Sequence, residues 1–188
     1  MNVCDYIINA LYNNGIDTYF VITGGAIVPF INAIANNPKV KYYCFQHEQS
    51  AAMAAESFYR TSGKMGVVLT TSGPGAQNLL NGICGCWYES VPCLFITGQV
   101  STYESLDSIF TKPRQVGFQE TPVVESFKHF TKFSTKVTKA ELFEEALNTA
   151  IKESLTGRPG PVLIDLPVDI QNSILSKYSN EKIRWWVD

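Results

Sequence analysis

The stretch Phe45-Gln46-His47-Glu48-Gln49-Ser50-Ala51-Ala52 joins two segments with different patterns of apolar residues. Residues 40–45 are rich in β-branched and aromatic side chains and predict a strand. From Glu48 to about Ser62 the pattern is helical. We therefore expect the lone carboxylate of Glu48 at a strand-to-helix junction on the carboxyl edge of a parallel sheet. Open α/β sheets bind their ligands at that edge.

Strands and helices alternate along the rest of the chain. Further strands are predicted at residues 19–22, 66–70, 92–97 and 162–166, with an edge strand within 130–137. Helices are predicted near the N-terminus and at residues 27–35, 77–88 and 139–155, the last with Leu142, Leu147 and Ile151 facing inward. This order predicts the α/β class: an open parallel sheet of about six strands with helices on both faces, in three layers.

The composition excludes several classes of protein. The chain has 188 residues, of which 45% are apolar and 17% charged, so it is long and apolar enough for one globular domain. Its net charge of −2 gives no sign of nucleic-acid or membrane-surface binding. We see neither a bilayer-spanning apolar run nor a secretory signal.

Cysteine usage predicts buried thiols in a reducing cytoplasm, because the count is odd and most of the cysteines lie in apolar runs. The five are Cys4, Cys44, Cys84, Cys86 and Cys93. The spacing of Cys84 and Cys86 could indicate a metal or redox pair. No second Cys or His pair stands at ligand spacing, so we predict no metal site in this chain.

Three loops follow successive strands and are expected at the same sheet edge: residues 23–25, 47–49 and 71–75. The Gly-rich loops could cradle a phosphate, but neither has the Gly-Lys-Ser/Thr or third glycine of the known fingerprints. They could instead make tight turns only, or clear space for a flat, uncharged ring. Glu48 could be present only because the helix dipole favours an acidic side chain in the first turn. Its uncharged neighbours, however, indicate that the carboxylate needs a partner. We interpret His47 as structural.

Five motifs then occur in the order of one family. They are Gly24-Gly25-Ala26, His47-Glu48-Gln49, residues 70–78 (Thr-Thr-Ser-Gly-Pro-Gly-Ala-Gln-Asn), Ile96-Thr97-Gly98-Gln99 and residues 156–162 (Thr-Gly-Arg-Pro-Gly-Pro-Val). Over about residues 1–172 the chain resembles the N-terminal, pyrimidine-binding domain of thiamine-diphosphate-dependent enzymes, on the acetolactate synthase branch. Single motifs of this kind are ordinary, whereas five in order are specific.

The resemblance implies an enzyme in which Glu48 is catalytic. In that family the corresponding glutamate shares a proton with N1′ of the aminopyrimidine. This favours the imino tautomer, which takes the proton from the thiazolium carbon. The resulting ylide decarboxylates pyruvate or a related 2-keto acid, and the enamine left behind is protonated or attacks a second carbonyl. Gln119 matches a family glutamine near the reacting centre and is expected to be catalytic and to face the substrate.

By the same resemblance, further residues border the cofactor: Thr23, Gly24, Gly25, Thr71, Pro74, Gly75 and Asn78. Lys132 matches a family lysine near the substrate, and Arg158 is expected to be structural. The chain departs from the family pattern at two places. Many members have a proline where this chain has Thr23, so the edge of the cofactor is expected to be contacted differently. Segment 101–116 is longer than in typical acetolactate synthases, which bears on substrate choice.

The resemblance also implies partners. The family binds the diphosphate through Mg²⁺ on a separate domain with a Gly-Asp-Gly…Asn signature, and this chain has no such stretch. We therefore expect the chain alone to be inactive and to meet the diphosphate-binding domain of a partner chain. The expected assembly is a homodimer or homotetramer, with contacts through the helices that start at Glu48 and Gln77. Residues 173–188 are interpreted as a linker toward a central domain that this chain does not contain. Some relatives bind FAD in that domain, but the sequence gives no support for FAD here.

Three alternatives stay open at this stage. The enzyme could be a thiamine-diphosphate 2-keto acid decarboxylase without ligation. It could be a non-catalytic regulatory homologue, although the presence of Glu48 weighs against that. It could also be a plain nucleotide-binding α/β domain.

Overall fold

A single six-stranded sheet organises the computed structural model, which describes residues 1–111 and 113–175. All neighbouring strands are parallel, in the order β2-β1-β3-β4-β6-β5. The strands are β1 Thr18–Val21, β2 Lys41–Cys44, β3 Val67–Thr70, β4 Leu94–Gln99, β5 Phe133–Lys136 and β6 Val162–Pro167. The predicted open parallel sheet of six strands is confirmed, with β5 at one edge.

Helices cover both faces of this sheet. They are α1 Val3–Asn13, α2 Val28–Ala35, α3 Glu48–Ser62, α4 Pro74–Gln77, α5 Leu80–Glu89, α6 Val123–Phe127, α7 Phe143–Leu155 and α8 Val168–Asn172. One buried cluster combines α1, α2 and α7 with the sheet, and a second combines α3, α5 and α6 with it. Successive strand residues alternate between the clusters: Val67 and Leu69 lie in the first, Val68 in the second. The sheet is therefore the middle of three layers.

The strand order creates a crevice between β1 and β3. The chain leaves β1 for α2 on one face of the sheet, whereas it leaves β3 for α4 and α5 on the other face. Neighbouring parallel strands whose connections diverge in this way form a switch point, the usual ligand position in open α/β sheets. The loops after β1, β2 and β3 all lie at this end of the sheet.

Several predicted boundaries were wrong. The helix expected at residues 77–88 starts earlier, at Pro74, because proline is well accommodated in a first helical turn, and it is interrupted at Asn78. Leu142 is 46% exposed because it lies in a separate 3₁₀ turn, Ala140–Leu142, whose period differs from that of α7. Helix α8 was not predicted. The interpreted linker, residues 173–188, lies largely outside the described residues. Within the described ranges, no helix is both long and apolar enough to cross a bilayer.

Candidate functional site

Glu48 is the first residue of α3, directly after the turn that follows β2. His47 caps this helix, its Nδ1 accepting a hydrogen bond of 3.2 Å from the backbone N–H of Gln49, as its structural interpretation predicts. The Glu48 carboxylate is half-buried, and its Oε2 accepts a hydrogen bond of 2.9 Å from Asn78 Nδ2. Asn78 lies at the break between α4 and α5. The break that the sequence did not predict therefore supplies the partner of the carboxylate.

The loops after β1 and β3 are joined across the crevice. The Oγ1 of Thr71 accepts a hydrogen bond of 3.2 Å from the backbone N–H of Ala26. A Cβ at Gly24 would lie 2.5 Å from the Cβ of Thr71, a distance that no side chain tolerates. Glycine at position 24 is thus required by close approach of the two loops.

A second glycine keeps the space beside the carboxylate clear. A Cβ at Gly75 would lie 3.2 Å from Glu48 Oε1 and 2.8 Å from Thr71 Cγ2. It would also lie 3.2 Å from the Oγ1 of Thr70, a buried hydroxyl that has no hydrogen-bond partner within the described residues. Because position 75 has no side chain, nothing there fills the space between Oε1 of Glu48 and the side chains of Thr70 and Thr71.

Gln119 also lies at this edge of the sheet, although it is not in one of the three loops that directly follow a strand. Its φ is 55°, in the left-handed region, where a residue other than glycine costs about 1–3 kcal/mol. Gly73, with φ 62°, lies against it, because a Cβ at Gly73 would be only 2.3 Å from the Gln119 carbonyl oxygen. The Gln119 side chain is exposed. The segment that carries Gln119 therefore packs directly against Gly73, the residue before α4.

The structure brings most of the resemblance-derived residues to one edge of the sheet. Gly24, Glu48, Thr71, Gly75 and Asn78 are linked by the contacts above. Thr23 and Gly25 lie in the same turn as Gly24, and Pro74 is the first residue of α4.

Lys132 is not brought to this edge. It immediately precedes β5 and so lies at the amino end of the sheet, where its Nζ donates to the carbonyl oxygen of Thr156. Nearby, Arg158 donates from Nε to Ser90 Oγ at 2.7 Å and from a terminal nitrogen to the Tyr88 carbonyl oxygen at 2.9 Å. These bonds fasten its turn to the end of α5, which is the structural role expected of Arg158.

Sequence reasoning missed a second polar group at the carboxyl edge, centred on Asp165 of β6. The side chain is buried, with Oδ1 accepting from Thr97 Oγ1 at 2.7 Å and Oδ2 accepting from Gln99 Nε2 at 3.0 Å. Burial raises the pKa of Asp165 to about 6, against the opposing effect of these two hydrogen bonds and of Lys136. A carboxylate inside the otherwise apolar run 162–166 was the signal that could have identified it.

We expect Asp165 to make stability depend on pH. Between its ordinary pKa of 3.8 and about 6, the native state holds a proton that the unfolded state has released. Stability is therefore lost as pH rises through this window, by up to about 3 kcal/mol above pH 6. Asp165→Asn cannot ionise, so its free energy of unfolding should match wild type near pH 4 and exceed it by up to that amount at pH 7.

Urea unfolding of both chains across pH 4–7 measures this difference. Lys136 of β5 and Glu120, the charged groups facing Asp165, are present in both chains. The matched control is Asp107→Asn, which changes an exposed carboxylate that accepts from Lys136 Nζ at 3.0 Å. A difference between Asp165→Asn and wild type that is the same at pH 4 and pH 7 would contradict the prediction.

The described ranges contain no group of three or more His, Cys, Asp or Glu side chains placed to hold a metal ion. The expected burial of the thiols is confirmed for Cys4, Cys86 and Cys93, with Cys86 against Cys93, and it is wrong for Cys44, which is exposed because it lies on the edge strand β2. Cys84 is only partly buried. The two cysteines of the 84–86 pair thus have different surroundings.

Comparison with known proteins identifies the family. The family profile described as thiamine pyrophosphate enzyme, N-terminal TPP binding domain, matches residues 1–127, more than half of the chain. The chain belongs to this family. The matched part includes Glu48, Asn78 and Gln119, and it ends before Lys132.

Relatives of this thiamine pyrophosphate enzyme domain include acetolactate synthases from three kingdoms of life. The chloroplastic acetolactate synthase of Arabidopsis thaliana is 37% identical over 173 residues, which is 90% of this chain and 24% of the relative. The probable acetolactate synthase large subunit of Methanocaldococcus jannaschii is 39% identical over 175 residues, 92% of this chain and 28% of the relative. The mitochondrial acetolactate synthase catalytic subunit of Saccharomyces cerevisiae is 41% identical over 160 residues, 85% of this chain and 22% of the relative. The chain thus spans about a quarter of their length.

Proposed function

We propose that this chain holds the aminopyrimidine of thiamine diphosphate in an acetolactate synthase-like enzyme, with Glu48 as the group that activates it. The observation that carries the proposal is the arrangement at Glu48. Asn78 engages one carboxylate oxygen, and the other oxygen lies beside Gly75, where no side chain fills the space. A flat ring fits beside a glycine that has no side chain to obstruct it.

The residues of this edge have separate tasks in the proposed site. Glu48 Oε1 shares a proton with a ring nitrogen, while Asn78 fixes the orientation of the carboxylate. The walls of the ring pocket come from both Gly-rich loops: Thr23, Gly24, Gly25, Thr71, Pro74 and Gly75. When bound, thiamine diphosphate supplies the carbon nucleophile and the electron sink for decarboxylation of a 2-keto acid.

Gln119 is proposed as the residue of this chain that faces the substrate near the reacting centre. Its contact with Gly73 places it next to the loop that carries Pro74 and Gly75. A substrate role for Lys132 stays a prediction. Because Lys132 lies at the amino end of the sheet, such a role would require another polypeptide to bring substrate to that end.

The proposed reaction is decarboxylation of pyruvate or a related 2-keto acid, followed by ligation of the product carbon to a second carbonyl compound. The names of the relatives, all acetolactate synthases, favour ligation. A decarboxylase without ligation is the second candidate, because segment 101–116 is longer than in typical acetolactate synthases and so bears on the choice of substrate. The presence of Glu48 weighs against a non-catalytic homologue.

The diphosphate and its Mg²⁺ are proposed to be held by a domain outside residues 1–188, as the length of the relatives suggests. We propose that this domain belongs to a partner chain in a homodimer or homotetramer. The outer faces of α3 and α5 support such pairing, since Met53 and Leu80 are exposed there. FAD has no support in the described residues, and a cytoplasmic location stays a prediction.

The test uses the complete protein, by which we mean the native polypeptide or assembly that includes this chain. It is incubated with thiamine diphosphate, Mg²⁺ and pyruvate or other 2-keto acids, with and without a panel of aldehydes and ketones. We expect cofactor-dependent release of CO₂, and a ligated product with at least one acceptor. CO₂ release with no ligated product would favour the second candidate, whereas cofactor binding without any CO₂ release would contradict both.

A further inference from the structure

The buried side-chain amide of Gln99 holds the segment that carries Gln119 in place. Gln99, the last residue of β4, is 1% exposed. Its Nε2 donates to the Thr121 carbonyl oxygen at 3.2 Å and to Asp165 Oδ2 at 3.0 Å, while its Oε1 accepts from the backbone N–H of Val100 at 3.0 Å. Both ends of the amide are engaged, so its orientation is fixed. The Thr121 carbonyl therefore has one defined place above β4.

Asp165 fixes this amide in turn. Its carboxylate lies on β6, next to β4, and accepts from Thr97 as well as from Gln99. A carboxylate buried at this depth costs stability that an apolar residue would not. The hydrogen bonds offset only part of that cost, so stability alone does not account for an aspartate at this position.

Two further contacts hold the same segment. Gln77 of α4 donates from Nε2 to Thr121 Oγ1 at 3.2 Å. The Glu120 carboxylate accepts from the Ser105 hydroxyl at 2.5 Å and from the Leu106 backbone N–H. Together with Gly73, these contacts keep Gln119 in its left-handed backbone conformation. A residue other than glycine keeps that conformation only where several surrounding contacts enforce it.

We propose that Gln99 and Asp165 are positioning residues, which hold the Thr121 carbonyl and thereby set Gln119 over Gly73 toward the substrate side of the site. The inference rests on the proposed function, because it assigns these two residues to the reaction through Gln119. Neither residue contacts Glu48 or Asn78 in the described structure. Cofactor affinity and substrate turnover should therefore respond differently to their replacement.

The test is a double-mutant cycle in the complete protein, with kcat/KM for pyruvate and the Kd for thiamine diphosphate as readouts. Gln99→Met keeps the volume but removes the donor to Asp165 Oδ2 and the side-chain donor to the Thr121 carbonyl, which then keeps the backbone N–H of Val123 at 2.8 Å. We expect kcat/KM to fall about 10- to 100-fold, because small displacements of a positioned group cost that much, while the Kd changes less than about threefold. Combined with Gln119→Ala, Gln99→Met should add little, since the group that it positions is already gone.

For Asp165, the other proposed positioning residue, the matched pair of variants is Asp165→Leu and Asp165→Asn. The asparagine Oδ1 can still accept from Gln99 Nε2, so Asp165→Asn should restore most of the turnover that Asp165→Leu loses. Gln99→Asn, whose amide is one methylene too short to span both acceptors, replaces Gln99→Met if that variant does not fold.

A merely structural role predicts a different pattern. Additive losses in Gln99→Met and Gln119→Ala, or parallel losses of cofactor affinity and turnover, would overturn the inference. Unchanged kcat/KM in Gln99→Met would also overturn it while leaving the proposed function intact. Wild-type protein that turns over no 2-keto acid would instead remove the proposed function, and this inference with it.

Discussion

Replacing Glu48 with glutamine is expected to lower thiamine-diphosphate-dependent turnover in the complete protein by about 100-fold or more. The amide has the size of the carboxylate, and its oxygen can still accept from Asn78 Nδ2, so the hydrogen bond of 2.9 Å can persist. The amide cannot exchange a proton with a ring nitrogen, however. The variant should therefore keep the fold and the space at Gly75 while losing the proton-sharing group.

The measurement pairs CO₂ release from pyruvate with thermal unfolding of the same preparation. The matched control is Glu56→Gln in the same helix, whose carboxylate pairs with Arg60 at 2.8 Å instead of facing the crevice. We expect this control to keep nearly full turnover, since such surface pairs contribute at most about 1 kcal/mol. More than half of wild-type turnover in Glu48→Gln, with an unchanged unfolding temperature, would remove Glu48 from the proposed mechanism.

The position of Glu48 could be predicted because it depends on local pattern. The change from a strand-like to a helical pattern occurs between Phe45 and Glu48, and parallel strands bring their carboxyl ends to one edge. The same logic placed the loops at 23–25 and 71–75 beside it. For the glycines at 24 and 75, making room is one of several interpretations that the sequence allows, and the sequence does not show which atoms they make room for.

Contacts between distant segments could not be predicted in this way. The bond from Asn78 to Glu48 depends on a helix break and on how α3 packs against α5, and neither follows from the period of the apolar residues. Asp165 was overlooked because the surrounding apolar run explained the strand without it. Lys132 was assigned by resemblance alone, and its position directly before β5, which runs parallel to β6, puts it at the opposite end of the sheet.

The packing of α3 against α5 leads to the second large effect, which we expect from Gly82→Ala. Gly82 is buried in α5, and a Cβ there would lie 2.2 Å from the Cβ of Ala52 in α3 and 3.3 Å from two of its backbone atoms. Neither helix has a flexible side chain at this point that can move aside. Although alanine favours a helix by about 1 kcal/mol over glycine, overpacking should dominate and destabilise the chain by about 2–3 kcal/mol.

Urea unfolding measures the stability change, and Gly85→Ala in the same helix is the matched control. A Cβ at Gly85 would meet only the carboxylate of Glu56, with Oε2 at 2.9 Å and Cδ at 3.6 Å, and this is the far end of a long side chain that can rotate away. The control should therefore be neutral or slightly stabilised, and equal stabilities of the two variants would contradict the close contact. Because Glu48 begins α3 and Asn78 lies two residues before α5, forcing the helices apart should also lengthen the bond between the two side chains. In the complete protein, Gly82→Ala should thus weaken thiamine diphosphate binding, whereas Gly85→Ala should not.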